Sequence, residues 1–443
     1  MTQNGNASLP ERIIIILRSF WAKPIMAVLF ATGLLSLTLW LDHAGLSARI
    51  GAMPWPFSMT GETAKEAATS LAGIVTALLV LFFSITLIVL TLASSSLGVR
   101  LIDRWIANRT IQTSLSLLLA LLTYSILLIG AVDPSGVDDR IPRLSVLTLM
   151  GWLVLTLVWL AYAFHHLSRR IHVDTSIVEI GHDLRDDLTS ICAYTVATSQ
   201  VPETPAIEIY APKTGYVEHI NLDQLIKLCR NQDVRVQLNC QEGDFLFQGD
   251  ALLRIWPQGA SGDIADTHQR VISKAVSVGG FRTDRQGARF RTMLLAEIAA
   301  RAMSPAVNDY YTAYTCIDHL AGAFAPFLAN AALDGWMVDE DGRPVLALNR
   351  RPTPALLDNP LRIIRHCVAP YPAMSLYMGW VLVRLIDQCA QTLDAEFLEA
   401  QLSQLVRAAL DNTDLTEDRD ALKALLDAPR DHEGILERLK ASR

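Results

Sequence analysis

Four long apolar stretches, Ile25 to Leu41, Ala67 to Ser94, Ile111 to Val132 and Leu144 to Phe164, dominate the first third of this chain, and nothing like them recurs afterwards. A hydrocarbon core of about 30 Å takes roughly 20 apolar helical residues, so each stretch is long enough to span. None contains Asp, Glu, Lys or Arg. An ionisable group there would cost at least ~2.5 kcal/mol and would mark an ion or proton pathway, so the pattern argues against a proton pump. The chain reads as a four-helix membrane domain, residues 25–170, followed by a soluble module.

Basic residues in the short flanks set orientation. Arg12, Arg18 and Lys23 precede the first stretch, Arg100, Arg104 and Arg109 lie between the second and third, and Arg169 and Arg170 follow the fourth. The other two loops balance or outweigh their basic residues with acids. Both termini and the whole module are therefore expected in the cytoplasm. Residues 1–24 carry PERIIIILRSFW, a dense apolar run beside Arg12 and Arg18, which reads as a retained interfacial helix.

On a helical projection the second stretch places Ser70, Gly73, Thr76, Ala77, Ser84, Thr91, Ser95 and Gly98 on one arc, with larger residues on the rest. Small residues of this kind let helices approach closely. The same face would also suit a water-filled pathway between subunits, with Arg100 and Arg104 at its cytoplasmic mouth.

From residue 171 the composition becomes that of a soluble protein. All six cysteines lie here without a C-x-x-C pair, consistent with free thiols in a reducing compartment. Residues 171–204 read as a connecting helical segment. Residues 205–260 read as a small β domain: IEIYAPKTGYVEHI, a short helical NLDQLIKLC, then VRVQLNCQEGDFLFQGDALLRIWP, with turns at Gly215, Gly243 and Gly249. Ala211, Pro212, Gly215, Val217, Gly243, Asp244, Gly249 and Leu252 follow the layout of barrel-sandwich modules, which they resemble, without the attachment lysine of carrier proteins. Residues 265–443 read as helical, broken at Pro352, Pro354, Pro360, Pro370 and Pro372, with an Asp-Gly turn at Asp341 and Gly342 suited to a hairpin. The fold class expected is thus an α-helical membrane domain with a cytoplasmic α+β module.

Within the helical part, MLLAEIAARAM runs into Ser304-Pro305, and Asn308 or Asp309 stands where it can cap the next helix. Arg282, Glu297, Arg301, Ser304, Asn308, Asp309 and Thr312 form a dense polar set, read either as an ion-pair and cap network or as a ligand site. Here the chain resembles the bacterial predicted membrane proteins grouped as domain-of-unknown-function family 2254. The likeness rests on Ser94 to Ser96, Thr214 to Val217, Arg282, Thr283, Gln286, Glu297, Ile298, Ala299, Arg301, Ala302, Ser304, Pro305, Asn308, Asp309, Thr312 and Ala313. The family pattern has Asp after the Gln, where this chain has Gly287, and Pro after Asn-Asp, where it has Tyr310. The resemblance implies topology and layout, with no established activity.

No nucleotide-binding, zinc-protease or nucleophile-elbow motif is present, so neither an enzyme nor a bound cofactor or metal is expected. A net charge of −7 without basic clusters argues against nucleic acid as a partner. Two functions fit: a homo-oligomeric channel-like protein regulated or assembled through its cytoplasmic module, or a non-conducting scaffold or ligand sensor. The expected partners are the lipid bilayer, further copies of the chain and a small ion or ligand.

Overall fold

An apolar run without Pro or charge satisfies its backbone internally as one helix, and each of the four stretches does so. The structure, a computed structural model, describes residues 21–51, 60–97, 108–133, 141–170, 173–197, 202, 206–257, 275–282, 286–330, 335–348, 352–390 and 392–427. It falls into two units, Met1–His172 and Val173–Arg443. The interfacial reading of the first residues lies mostly outside what is described.

The first unit holds α1 (Ala22–Leu41), a wide turn at Asp42–Leu46, the short α2 (Ser47–Gly51), α3 (Gly61–Leu97), α4 (Arg109–Ala131) and α5 (Arg143–Arg170). Among the described residues, four helices are long and apolar enough to cross a membrane. Asn108 starts α4 by accepting the Thr110 N–H at 2.8 Å. Small residues of α1 and α3, Ala31, Ala64 and Ala68, pack with Leu121, Leu128 and Leu149. The central α4 is 50 % buried over its apolar window and α3 only 11 %, so among the described residues α3 is peripheral within its own unit.

Polar groups fix this unit internally. Asp42 accepts the backbone N–H groups of Leu144 (3.0 Å) and Ser145 (3.1 Å) and the Ser145 hydroxyl (2.8 Å). It thereby caps α5 from a segment about a hundred residues away, supplying the first-turn donors with an acceptor. Tyr124, fully buried, shares a 2.9 Å hydrogen bond with Thr38 and donates to the Ser145 carbonyl at 3.1 Å.

The second unit begins with α6 (Val173–Cys192), whose buried Ile177, Ile180, Leu184 and Leu188 recur at helical spacing. Its β region comprises β1 (Val196–Ala197), β2 (Ile207–Tyr210), β3 (Gly215–Ile220), β4 (Val234–Leu238), β5 (Phe245–Leu246), β6 (Ala251–Pro257), β7 (Val276–Gly279), β8 (Trp336–Val338) and β9 (Pro344–Leu348). Six strands make one sheet in the order β1-β8-β9-β4-β6-β2, and β5-β3-β7 make a second. β4 pairs antiparallel with β6 (Val236 opposite Ile255) and parallel with β9 (Val236 opposite Leu346). The expected helical piece is α7 (Leu222–Gln232), capped by Asn221 on the Gln224 N–H at 2.9 Å. Val217, Leu225, Val236, Leu253 and Leu346 fill the core of this region.

This differs from a self-contained barrel-sandwich over 205–260, because β1, β7, β8 and β9 come from outside that stretch. The part read as wholly helical thus supplies three strands. They are too short for their own pattern to announce them, and pairing with the sheet decides their conformation. The Asp341-Gly342 turn does join an antiparallel hairpin, β8 to β9, with Asp339 accepting the N–H groups of Asp341 and Arg343.

The remaining helices are α8 (Gly287–Ala302), α9 (Tyr310–Leu328), α10 (Pro352–Val368), α11 (Pro372–Gln388), α12 (Thr392–Leu410) and α13 (Thr416–Asp427). Pro352 and Pro372 open helices, where a missing N–H costs nothing, whereas Pro360 lies inside α10 rather than breaking it.

Candidate functional site

The polar groups named from the sequence lie in two main places, and the structure adds a third. In α3, Ser70, Gly73, Thr76, Ala77, Ser84 and Thr91 are all exposed, on the side away from buried Ala64, Ala68 and Val75. Thr76, Ser84 and Thr91 donate to carbonyls one turn back in α3 itself (2.8, 2.9 and 2.8 Å), and nothing lies within 4 Å of a Cβ built on Gly73. This face is therefore open among the described residues of its own unit. The Ser95 side chain, Gly98, Arg100 and Arg104 fall outside the described residues.

The second set surrounds the turn between α8 and α9. Asp309, rather than Asn308, is the cap: it accepts the Thr312 N–H at 3.1 Å and the Thr312 hydroxyl at 2.6 Å. Asn308 takes the left-handed conformation (φ 50°) and bonds the Ser304 carbonyl through its N–H at 2.9 Å. Glu297 and Arg301 pair at 3.3 Å along α8. Arg282 stands apart, its guanidinium 4.9 Å from the centre of the Tyr216 ring.

The third place was not legible. A cleft of about 830 Å³ opens in the second unit between α6, the end of β3, the β4–β5 turn and the start of α8. Its polar lining includes Asp187, Ser190, His219, Asp223, Glu242, Gln286, Arg289 and Arg291, and its apolar wall Ile191, Leu222, Leu238, Leu348 and Leu356. Arg291 is bonded to Asp187 and lies 3.7 Å from Asp183; Arg289 pairs with Asp244 at 2.5 Å. Glu242 accepts the Ile220 N–H at 2.9 Å and lies 2.9 Å from His219 Nδ1.

Burial is the largest influence on the two inner carboxyls. It pushes Asp187 up to about 6 although Arg291 opposes it, and it raises Glu242 against the pull of Ile220 N–H and His219. Gly287 sits between them in the left-handed region (φ 55°), and a Cβ there would lie 3.0 Å from a Glu242 oxygen and 3.6 Å from an Asp187 oxygen. An Asp at this position, as in the family pattern, would add a third carboxylate to the same spot; glycine leaves room instead. Among the described residues no group of three or more His, Cys, Asp or Glu side chains could hold a metal ion.

The cleft residues come from well-separated segments of the chain, and the sequence marks Asp244 only through the turn and the barrel-sandwich layout around Gly243. One signal was available. Gln286, part of the family pattern, is 2 % exposed and donates to the Val217 carbonyl at 3.4 Å. Two patterned segments thus meet at the cleft.

The chain is 26 % identical over 340 residues to an uncharacterized protein of Mycobacterium bovis and to uncharacterized proteins of two strains of Mycobacterium tuberculosis. The match covers 74 % of this chain and 64 % of each relative, so the chain spans less than two thirds of their length. No solved structure matches. Residues 17–379 match the family described as "Predicted membrane protein (DUF2254)", and the chain belongs to that family.

Proposed function

We propose that this protein is a membrane-anchored sensor whose second unit binds a small organic cation, an amine on a short hydrocarbon body. The supporting observation is the imbalance of the cleft. Asp223 and Glu242 face it, while Arg289 and Arg291 are engaged by Asp244, Asp183 and Asp187. Asp187 and Glu242 are raised by burial, and a cation between them would favour their ionised forms. The leucine wall suits the hydrocarbon part. The orientation rule puts this unit in the cytoplasm of a bacterial inner-membrane protein.

Thermal unfolding of the full chain in nanodiscs tests this, with putrescine, magnesium chloride and inorganic phosphate compared at equal ionic strength. A ligand at a hundred times its Kd stabilises by about 2.7 kcal/mol, so putrescine should raise Tm in the native chain and not in Glu242→Gln. No shift with putrescine, or an equal shift with phosphate, would sink the proposal.

A second reading is a homo-oligomeric channel with α3 from several subunits around a pathway. It is favoured by the exposed Ser70, Gly73, Thr76, Ala77, Ser84 and Thr91, which stay open among the described residues of their unit. Single-channel recording decides it: conductance abolished by Ser84→Trp supports a pathway, and a silent native protein removes it.

A further inference from the structure

The second unit carries an aromatic end, built on two turns without charge, that the cleft does not use. Two turns form it. Residues 302–308, Ala-Met-Ser-Pro-Ala-Val-Asn, join α8 to α9, and residues 367–373, Cys-Val-Ala-Pro-Tyr-Pro-Ala, join α10 to α11. Neither contains a charged residue. The Tyr310 and Tyr371 rings, 5.7 Å apart and edge to face, hold the two turns together. Pro305, Ala306 and Pro370 are exposed, and Val307 and Tyr311 are 59 % and 84 % exposed. Large apolar groups this open, without a charge among them, are unusual on a surface that meets only water.

The register of two helices locates this end. A Cβ on Gly181 of α6 would lie 2.9 Å from His319 of α9, and Cys192 at the end of α6 is hydrogen-bonded to the side chain of Asn330 just past α9. Both pairs keep the same spacing in sequence, so α6 and α9 run parallel. Carried back to the start of both helices, that spacing sets Val173 opposite Tyr311. Asp174 accordingly lies close enough to Cys316 and His319 to act on both electrostatically.

Val173 is the first residue of this unit. Only residues 171 and 172 separate it from Arg170, the last residue of a helix apolar enough to span a membrane. At no more than about 3.6 Å per residue, chain length alone keeps Val173 within roughly 10 Å of where that helix ends.

We infer that the end bearing Val307, Tyr310, Tyr311 and Tyr371 docks on the bilayer interface. Its chemistry fits that partner. Tyrosine rings with an apolar body and a polar tip concentrate at headgroup depth, and prolyl turns without charge lose little by leaving water. The pattern residues Ser304, Pro305, Asn308 and Asp309 then shape a membrane-resting turn: Asp309 is spent on the α9 cap, and Asn308 supplies the left-handed bend that presents Val307.

The test is photo-crosslinking in the full chain in nanodiscs of phosphatidylethanolamine and phosphatidylglycerol. p-Benzoylphenylalanine replaces Tyr311, Val307 or, as a control, Phe247, which is 64 % exposed on the loop after β5. The expected result is lipid-mass adducts on irradiation at positions 311 and 307, severalfold above those at 247. Adducts no more frequent than at 247, a cross-linked dimer, or a cross-link within the chain would each overturn the assignment, the last two by naming another occupant. Because Tyr311 and Val307 are exposed, the replacements should leave Tm unchanged, and the yields are read on folded protein.

Discussion

The two units each draw a carboxyl group out of water, one fully and one in part, and treat it in opposite ways. In the first, Asp42 is 3 % exposed and receives three hydrogen bonds, all from the start of α5. In the second, Asp187 has Arg291 beside it and is still pushed up to about 6 by burial, with Glu242 adding like charge nearby. A carboxylate whose acceptor capacity is filled holds helices together. One left under-compensated at the rim of a cavity is poised to bind something else. The contrast teaches that burial does not separate structure from function; the completeness of satisfaction does.

The largest test of this contrast is Asp42→Ala, which leaves the first-turn donors of α5 without their cap. Loss of these charge-assisted bonds should cost about 3 kcal/mol, read as reduced stability to denaturant in nanodiscs, with Asp42→Asn recovering part. An unchanged stability would show that the cap is incidental and break the comparison at its first term.

Asp187→Asn should act in the other direction. Asp187 ionises at about 6 in the folded chain against its ordinary 3.8. The folded state therefore binds the proton more tightly, and stability falls as pH rises through that window. Removing the charge should stabilise the protein by about 1–2 kcal/mol at pH 7.5 after allowing for solvent screening, and by nothing below pH ~4. A variant destabilised at pH 7.5 would make Asp187 a structural partner of Arg291, like Asp42 in its own unit.

Thr38→Val sharpens the first half. It removes one of two hydrogen bonds to Tyr124 while keeping volume, and should cost about 1 kcal/mol in the same unfolding measurement. The smallest effect belongs to Arg301→Ala. Its 3.3 Å pair with Glu297 is partly exposed, so the loss should stay below about 0.5 kcal/mol. A much larger loss would bring the Ser304 to Thr312 turn back as a site in its own right.

What could be read from the sequence followed from how local each feature is. The spans were legible because an uninterrupted apolar run needs no partner to declare itself, and the observed helices extend those runs only at their polar ends. The α7 piece and a cap at Asn308 or Asp309 were legible from a few adjacent residues, and the structure chooses Asp309. The cleft was not, since residues 187, 219, 242, 287 and 291 meet only once α6, two sheets and α8 are assembled, and no periodicity records that meeting. The peripheral position of α3 was hidden too. Composition marked its face of small residues, but only the packing of Ala64, Ala68 and Val75 tells which side the chain itself uses.

The parallel pairing of β4 with β9 carries a consequence for how the protein is made. β6 gives β4 one neighbour almost at once, but the other edge waits until α8, α9 and β8 have been synthesised. At about 5–20 residues per second that wait is on the order of ten seconds. During it the growing chain displays an open strand edge, Val234 to Leu238, beside a membrane already holding its first helices, and open edges recruit strands from other chains. Crowded translation of this message should therefore tax the cell through that edge, and a fragment ending before Leu348 should aggregate even though every strand of the 205–260 stretch is present.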